Sequence, residues 1–184
     1  KGLEASASFD MNRIDFNVEQ AQSFDLSVET AIVSLIGISG DSERSEIRAK
    51  IAGPFDTAME IMNIGSLNLV DEMSVDPANT GGIISTNLAL DFPILEDLKW
   101  EQVIFSAETL LEDISIQDGF FDLDVDKGNF EFIIENSGMS VTGELLLQDA
   151  PTSLSWVKKF SQNADFESRY EITTQITNFH NFEK

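Results

Sequence analysis

The sequence predicts an all-β fold, a long antiparallel meander with a single short helix. Apolar and polar residues alternate almost from end to end, and turn signals separate the alternating stretches at hairpin spacing. One segment only, near 54–63, gives up alternation for helical spacing.

The alternation opens with Leu3, Ala5, Ala7 and Phe9, then Ile14, Phe16 and Val18. Phe24, Leu26 and Val28 run on towards Ala31, Val33 and Leu35, and Ile47, Ala49 and Ile51 alternate with Glu46, Arg48 and Lys50. Successive side chains of a strand point to opposite faces, so each stretch has one wet face and one apolar face. In Gly53-Pro54-Phe55-Asp56-Thr57-Ala58-Met59-Glu60-Ile61-Met62 the residues Phe55, Ala58, Met59 and Met62 share a helical face instead. Ile64 to Gly82 reads as a connecting loop, and Pro93 to Trp100 as a second crossover.

The second half alternates through Ile84, Leu88, Leu90 and Phe92, then Val103, Phe105 and Ala107, then Phe121, Leu123 and Val125, then Phe130, Phe132 and Ile134. Met139, Val141, Leu145 and Leu147 follow, then Leu154 and Trp156, then Tyr170, Ile172 and Ile176. Ser39-Gly40-Asp41, Asp118-Gly119, Asp126-Lys127-Gly128 and Asn136-Ser137-Gly138 supply the turns. No linker divides the chain, so residues 1–184 are expected to form one segment. The start at Lys1, without a methionine or a cleavable leader, is expected of a piece of a longer protein.

Charge removes several functions. The 33 acidic side chains against 11 basic ones give a net charge of −22, which works against a phosphate-binding face and against anionic lipid headgroups. No nucleic-acid partner is expected. The 14 Phe and 42% apolar content are those of a folded chain, not of an acidic tail. The longest nearly apolar run, Ala31 to Ile38, is less than half of the roughly 20 residues that cross a bilayer as a helix.

Catalysis lacks parts. With no cysteine there is no thiolate, disulfide or sulfur-ligated metal, and His180 is the only histidine, with no serine motif to make a triad of it. Asp122, Asp124 and Asp126 resemble the start of a calcium loop, but Lys127 stands where the sharp turn requires glycine and Ile133 where a bidentate carboxylate is needed. The acids there are interleaved by Phe121, Leu123 and Val125, the pattern of one strand with an acidic outer face. No enzyme activity, metal or cofactor is expected.

One short helix cannot cover the apolar face of so many strands. That face needs a second sheet, closure into a barrel, or a curved trough that meets an apolar ligand, and periodicity does not choose among them.

Short motifs in a shared order bear on that choice. They are Gly53-Pro54-Phe55-Asp56-Thr57-Ala58, Val75-Asp76-Pro77 with Gly81-Gly82, Leu88-Ala89-Leu90-Asp91-Phe92-Pro93-Ile94 with Glu96-Asp97-Leu98, and Met139-Ser140-Val141-Thr142-Gly143 through Ala150-Pro151-Thr152-Ser153-Leu154-Ser155-Trp156 to Phe160. Over about residues 50–177 the chain resembles the AsmA-like proteins of Gram-negative bacteria, in particular the YhdP-type branch, which is similar to TamB and the chorein-type bridge proteins. The resemblance implies a strongly bent open β-groove, part of a periplasmic protein anchored in the inner membrane, that carries phospholipid acyl chains towards the outer membrane. It implies no catalytic motif. The acidity here exceeds what the family leads one to expect.

On that reading the groove is lined by Leu88, Leu90, Phe105, Leu123, Val125, Phe130, Phe132, Val141, Leu145 and Leu147. Its partners are phospholipid or fatty-acid acyl chains and adjoining segments of the same chain. The odd positions of 139–147 should then face lipid, with Leu145→Glu tolerated by the fold but not by the ligand, and Thr142→Glu harmless to both. The competing readings are a structural β-sandwich or spacer with a sealed core, and a module that binds a protein through an edge strand.

Overall fold

The structure is a computed structural model that describes residues 4–40, 42–64, 76–117, 123–161 and 165–175. Ten strands form one open antiparallel sheet in which each strand lies beside the next in sequence. They are β1 (Glu4–Phe9), β2 (Arg13–Ser23), β3 (Leu26–Ile36), β4 (Arg44–Pro54), β5 (Thr80–Pro93), β6 (Ile104–Ile116), β7 (Val125–Glu135), β8 (Gly138–Leu147), β9 (Ala150–Lys159) and β10 (Ser168–Thr174). The helix α1 (Phe55–Ile64) follows β4 directly. Among the described residues β1 pairs only with β2, and β10 only with β9, so the sheet does not close.

Antiparallel pairing places opposite residues on the same face, so the register converts the sequence alternation into continuous rows across the sheet. One row runs Ala7–Phe16–Val33–Ile47–Leu90–Phe105 from β1 to β6. The next runs Ala5–Val18–Ala31–Ala49–Leu88–Ala107 and continues through Ile134 to Met139. These rows belong to the same apolar face, which we call inner.

Bulges keep the inner face apolar where simple alternation would invert it. In β3 the register shifts between Val28 and Thr30, which returns Val28 to the side of Ala31. In β6 a shift between Leu111 and Ile114, with Asp113 at a φ of 52°, turns both apolar residues inward. Gly82 faces this bulge on β5 at a φ of 115°, and a Cβ there would lie 2.7 Å from Ile114 and 2.8 Å from the Glu112 carbonyl oxygen. Glycine is required.

Two expectations are corrected. Asp126-Lys127-Gly128 is not a turn between strands: it is a bulge inside the single strand β7, with Lys127 at a φ of 49° and the register shifted between Asp126 and Asn129. The signal misleads because a left-handed residue before glycine serves a bulge as well as a hairpin. The stretch after Pro93 is not a crossover either, since β5 and β6 are neighbours and residues 94–103 form a long hairpin connection with a 3-10 turn at Trp100–Gln102. Asn136-Ser137 is the tight β7–β8 turn, as expected. Leu3, Asp41, Val75, Asp118-Gly119, Phe121, Asp122, Ile176, His180 and the side chains of Ile61 and Met62 lie outside what is described.

The helix forms where the alternation predicts it to stop. Phe55, Ala58 and Met59 are buried on one face of α1, and Met59 is only 1% exposed. They pack onto the inner face with Ile114 and Ile116 of β6, Val125 of β7 and Leu145 of β8, with Ile84, Phe130 and Leu154 around them. Phe130 lies over Gly143, where a Cβ would come within 2.6 Å of its ring. A second cluster joins Phe105, Ile134, Met139 and Trp156. Among the described residues no second sheet covers β6–β9; α1 packs on the first of these clusters, and the side chains of neighbouring strands pack on one another in the second.

Candidate functional site: the inner face

Burial divides the inner face in two. Over β6–β9 it is closed by α1 at one end and by packed aromatic rings elsewhere: Trp100 tilts against Phe105 at 5.2 Å, and Trp156 stacks on Tyr170 at 5.4 Å. Over β1–β4 and β5 beyond Ile84, no described element lies on it. Val33, Ile47, Leu88 and Leu90 are half-buried, and Phe16 is 41% exposed.

Side-chain size gives the open half its relief. The row Ala5–Val18–Ala31–Ala49–Leu88–Ala107 is low because four of its six members are alanine. The taller row Phe16–Val33–Ile47–Leu90–Phe105 stands on one side, and Ile51, Thr86, Thr109 and Phe132 stand on the other. Alternate rows lie about 7 Å apart along the strands, so the ridges are about 14 Å apart, and six strands make the floor about 24 Å long. The result is a shallow trough that runs across the strands.

The polar groups near the trough are paired. Thr86 and Thr109 share a hydroxyl–hydroxyl hydrogen bond of 3.0 Å, so the buried Thr109 hydroxyl has a hydrogen-bond partner. The lining therefore presents aliphatic and aromatic surface with little directional bonding.

The expected lining residues separate accordingly. Leu88, Leu90, Phe132 and Val141 are half-buried on the inner face. Phe105 is buried where the trough meets the closed half. Val125 and Leu145 are buried beneath α1, with Phe130 and Leu147 packed against them, so these four belong to a core and not to an open surface. Leu123 is half-buried and precedes β7. Alternation gives Ala31, Ala49, Phe16, Val33 and Ile47 a face but not a place as floor or ridge, because only the register shows which small residues fall in line.

No family model matches the chain, and no curated protein or solved structure matches it. The site therefore rests on its own geometry. Among the described residues no group of three or more His, Cys, Asp or Glu is placed to hold a metal ion, and no helix is long and apolar enough to cross a membrane. Asp126 points outward beside Leu146, and Val125 points inward.

The outer face carries the charge. Arg44 bonds Asp91 across β4 and β5, and Lys50 lies 2.7 Å from Glu29. On β2 and β3 the Ser34 hydroxyl donates to Asp15 at 2.5 Å, the Arg13 Nε donates to the same carboxylate at 2.8 and 2.9 Å, and the Arg13 Nη2 donates to the Ser34 Oγ at 2.9 Å. These contacts, the Ser34 hydrogen bond foremost, hold the Asp15 carboxyl below its ordinary range despite partial desolvation. The native state thus binds this proton less readily than the unfolded chain. Its contribution is complete above the ordinary carboxylate pKa and is lost as pH falls through the lower native value. Urea midpoints measured against pH should show Asp15→Asn less stable than the parent at neutral pH, with the difference disappearing on acidification. A difference that persists unchanged into acid would remove Asp15 as its cause.

Proposed function

We propose that the chain is a segment of a lipid-conducting β-groove whose inner face holds acyl chains of phospholipid or fatty acid. The observation that carries the reading is the aliphatic trough over β1–β5, an exposed apolar surface of a shape suited to a linear hydrocarbon. A dozen methylenes exposed to water cost about 10 kcal/mol at about 0.8 kcal/mol each, a large driving force for covering such a surface with a chain. The absence of fixed polar partners along the floor favours sliding over tight, headgroup-specific binding. Placement in the periplasm, within an AsmA-like parent anchored in the inner membrane, rests on the motif resemblance alone. Adjoining segments of the same parent would then continue the sheet at β1 and β10, whose outer edges carry no neighbour among the described residues.

A structural spacer is the competing reading, favoured by the closed, helix-covered half of the sheet. Uptake separates the two. The chain purified without detergent should carry phospholipid or fatty acid in native mass spectrometry, or take up a fluorescent fatty acid after delipidation. Neither retention nor uptake would exclude the groove and leave the spacer.

A further inference from the structure

The low row of the trough does not end at Met139. Met139 lies opposite Lys158 on β9, and Lys158 lies opposite Ser168 on β10, so both belong to the inner face. Among the described residues that strand pairing places on this face, Lys158 alone is charged. Glu46, Asp91, Glu131 and Glu171, like the other paired acids, stand on the outer face. In a chain of net charge −22 the one exception is positive.

Lys158 is half-buried between the buried Met139 and the exposed Ser168. A lysine stem lies well along such a surface, with the ammonium at its tip. Ser168, whose Cβ is about 5 Å from that of Lys158 as in any directly opposite pair, stands ready beside it. Its Oγ accepts from the Trp156 indole nitrogen at 3.1 Å, which leaves the hydroxyl proton to donate elsewhere. An ammonium has three donors, so an oxygen of a ligand can join the contacts that Lys158 already makes.

We propose that Lys158, with Ser168 beside it, receives the anionic oxygens at the head of an acyl ligand, a carboxylate or a phosphate, while the tail crosses the half-buried Val141, Phe132 and Ala107 to enter the trough. The inference rests on the groove reading. From β9 to β6 is three strand spacings, about 14 Å, so a long tail reaches the floor at Ala107 and Leu88. A hydrogen bond from an ammonium to an anionic oxygen is stronger than a neutral one, and stronger again beside apolar surface than in water. The carboxylates on the outer face are screened beyond about 8 Å at physiological salt. A chain that slides along the floor thereby gains one fixed end. The competing account gives Lys158 only the task of covering Met139, which needs length at this position but no charge.

Hexadecanoate, hexadecanol and hexadecylphosphocholine share one tail and differ in the head, and their displacement of the uncharged probe diphenylhexatriene from the delipidated 184-residue chain tests the proposal. The parent should bind hexadecanoate at least tenfold more tightly than hexadecanol. Lys158→Met, which keeps the apolar length, should remove that preference by weakening hexadecanoate and sparing hexadecanol, and Lys158→Arg should retain it. Lys159→Met, opposite Gly138 on the outer face and with its ammonium over the Phe166 ring, should leave it intact. A parallel loss of hexadecylphosphocholine in Lys158→Met would mark phospholipid phosphate as an accepted head, and a loss confined to hexadecanoate would mark the free fatty acid as the ligand. Equal binding of hexadecanoate and hexadecanol by the parent, or a preference kept by Lys158→Met, would overturn the headgroup site and leave the groove standing. Binding of none of the three would remove the groove reading and this inference with it. Should Lys158→Met misfold, the parent itself decides: hexadecanoate spin-labelled beside its carboxylate should broaden the amide resonances of Met139 and Ser168, and broadening that spares both would overturn the proposal.

Discussion

Leu145→Glu should unfold the chain. Leu145 is 8% exposed and lies on β8 beneath α1, in the cluster that contains Phe55, Met59, Ile114 and Val125. A carboxylate there would lose water and gain only apolar neighbours, at a cost of about 3–5 kcal/mol or more, against a total stability of about 5–15 kcal/mol for an ordinary domain. The sequence-based expectation of a tolerated charge at this position is thereby reversed. The odd face of β8 is indeed inner, but α1 covers its far end. Leu145→Ala should cost about 2–5 kcal/mol, through the cavity left beside Met59. Chemical denaturation followed by near- and far-ultraviolet circular dichroism reads both. A cooperative native transition retained in Leu145→Glu would show that α1 does not seal this part of the face.

On the open half the same charge should spare the fold and end lipid uptake. Leu88 is half-buried in the low row, flanked by Ala49 and Ala107 on the neighbouring strands, so a longer polar side chain can rise from the floor into solvent. Ile47 stands on the ridge beside it and is likewise half-buried. A carboxylate at either position remains hydrated in the empty trough but must be dehydrated or displaced when a hydrocarbon chain lies across it. Leu88→Glu and Ile47→Glu should therefore bind a fluorescent fatty acid at least tenfold more weakly than the parent, with denaturation midpoints little changed. Thr142→Glu, on the outward face of β8 beside Glu131 and Ser155, should alter neither. Full uptake by both trough variants would place the acyl chain elsewhere.

The comparison of Leu145 with Leu88 shows where the sequence is informative. Both are apolar residues in alternating stretches and both stand on the inner face, because a period of two is a local property of the strand. Whether anything covers them depends on where α1 lands, and the spacing of Phe55, Ala58 and Met59 specifies an apolar helical face without naming its target. The row of alanines was similarly out of reach. Ala31, Ala49 and Ala107 align only once the register is known, and that register passes through a bulge at Val28–Thr30 that the turn signals do not mark. Asp113 and Lys127 adopt left-handed conformations inside strands, where neither residue type advertises them. The antiparallel meander was legible apart from the break at Asp126-Lys127-Gly128, which lies inside one strand; the relief of the surface the strands build was not.

The unbroken strand order β1 to β10 makes the hairpin the unit of length for this architecture. Each strand needs only its two neighbours, so stability is close to a sum of nearest-neighbour terms, as in a solenoid. Adding or removing two strands would leave the remaining connections on their own rims and the trough in line. Adding one would send every later connection to the opposite rim and part the turns that now bond one another along one edge. A sheet of this kind can therefore be extended or shortened in steps of about 10 Å, two strand spacings at a time, without redesigning what came before.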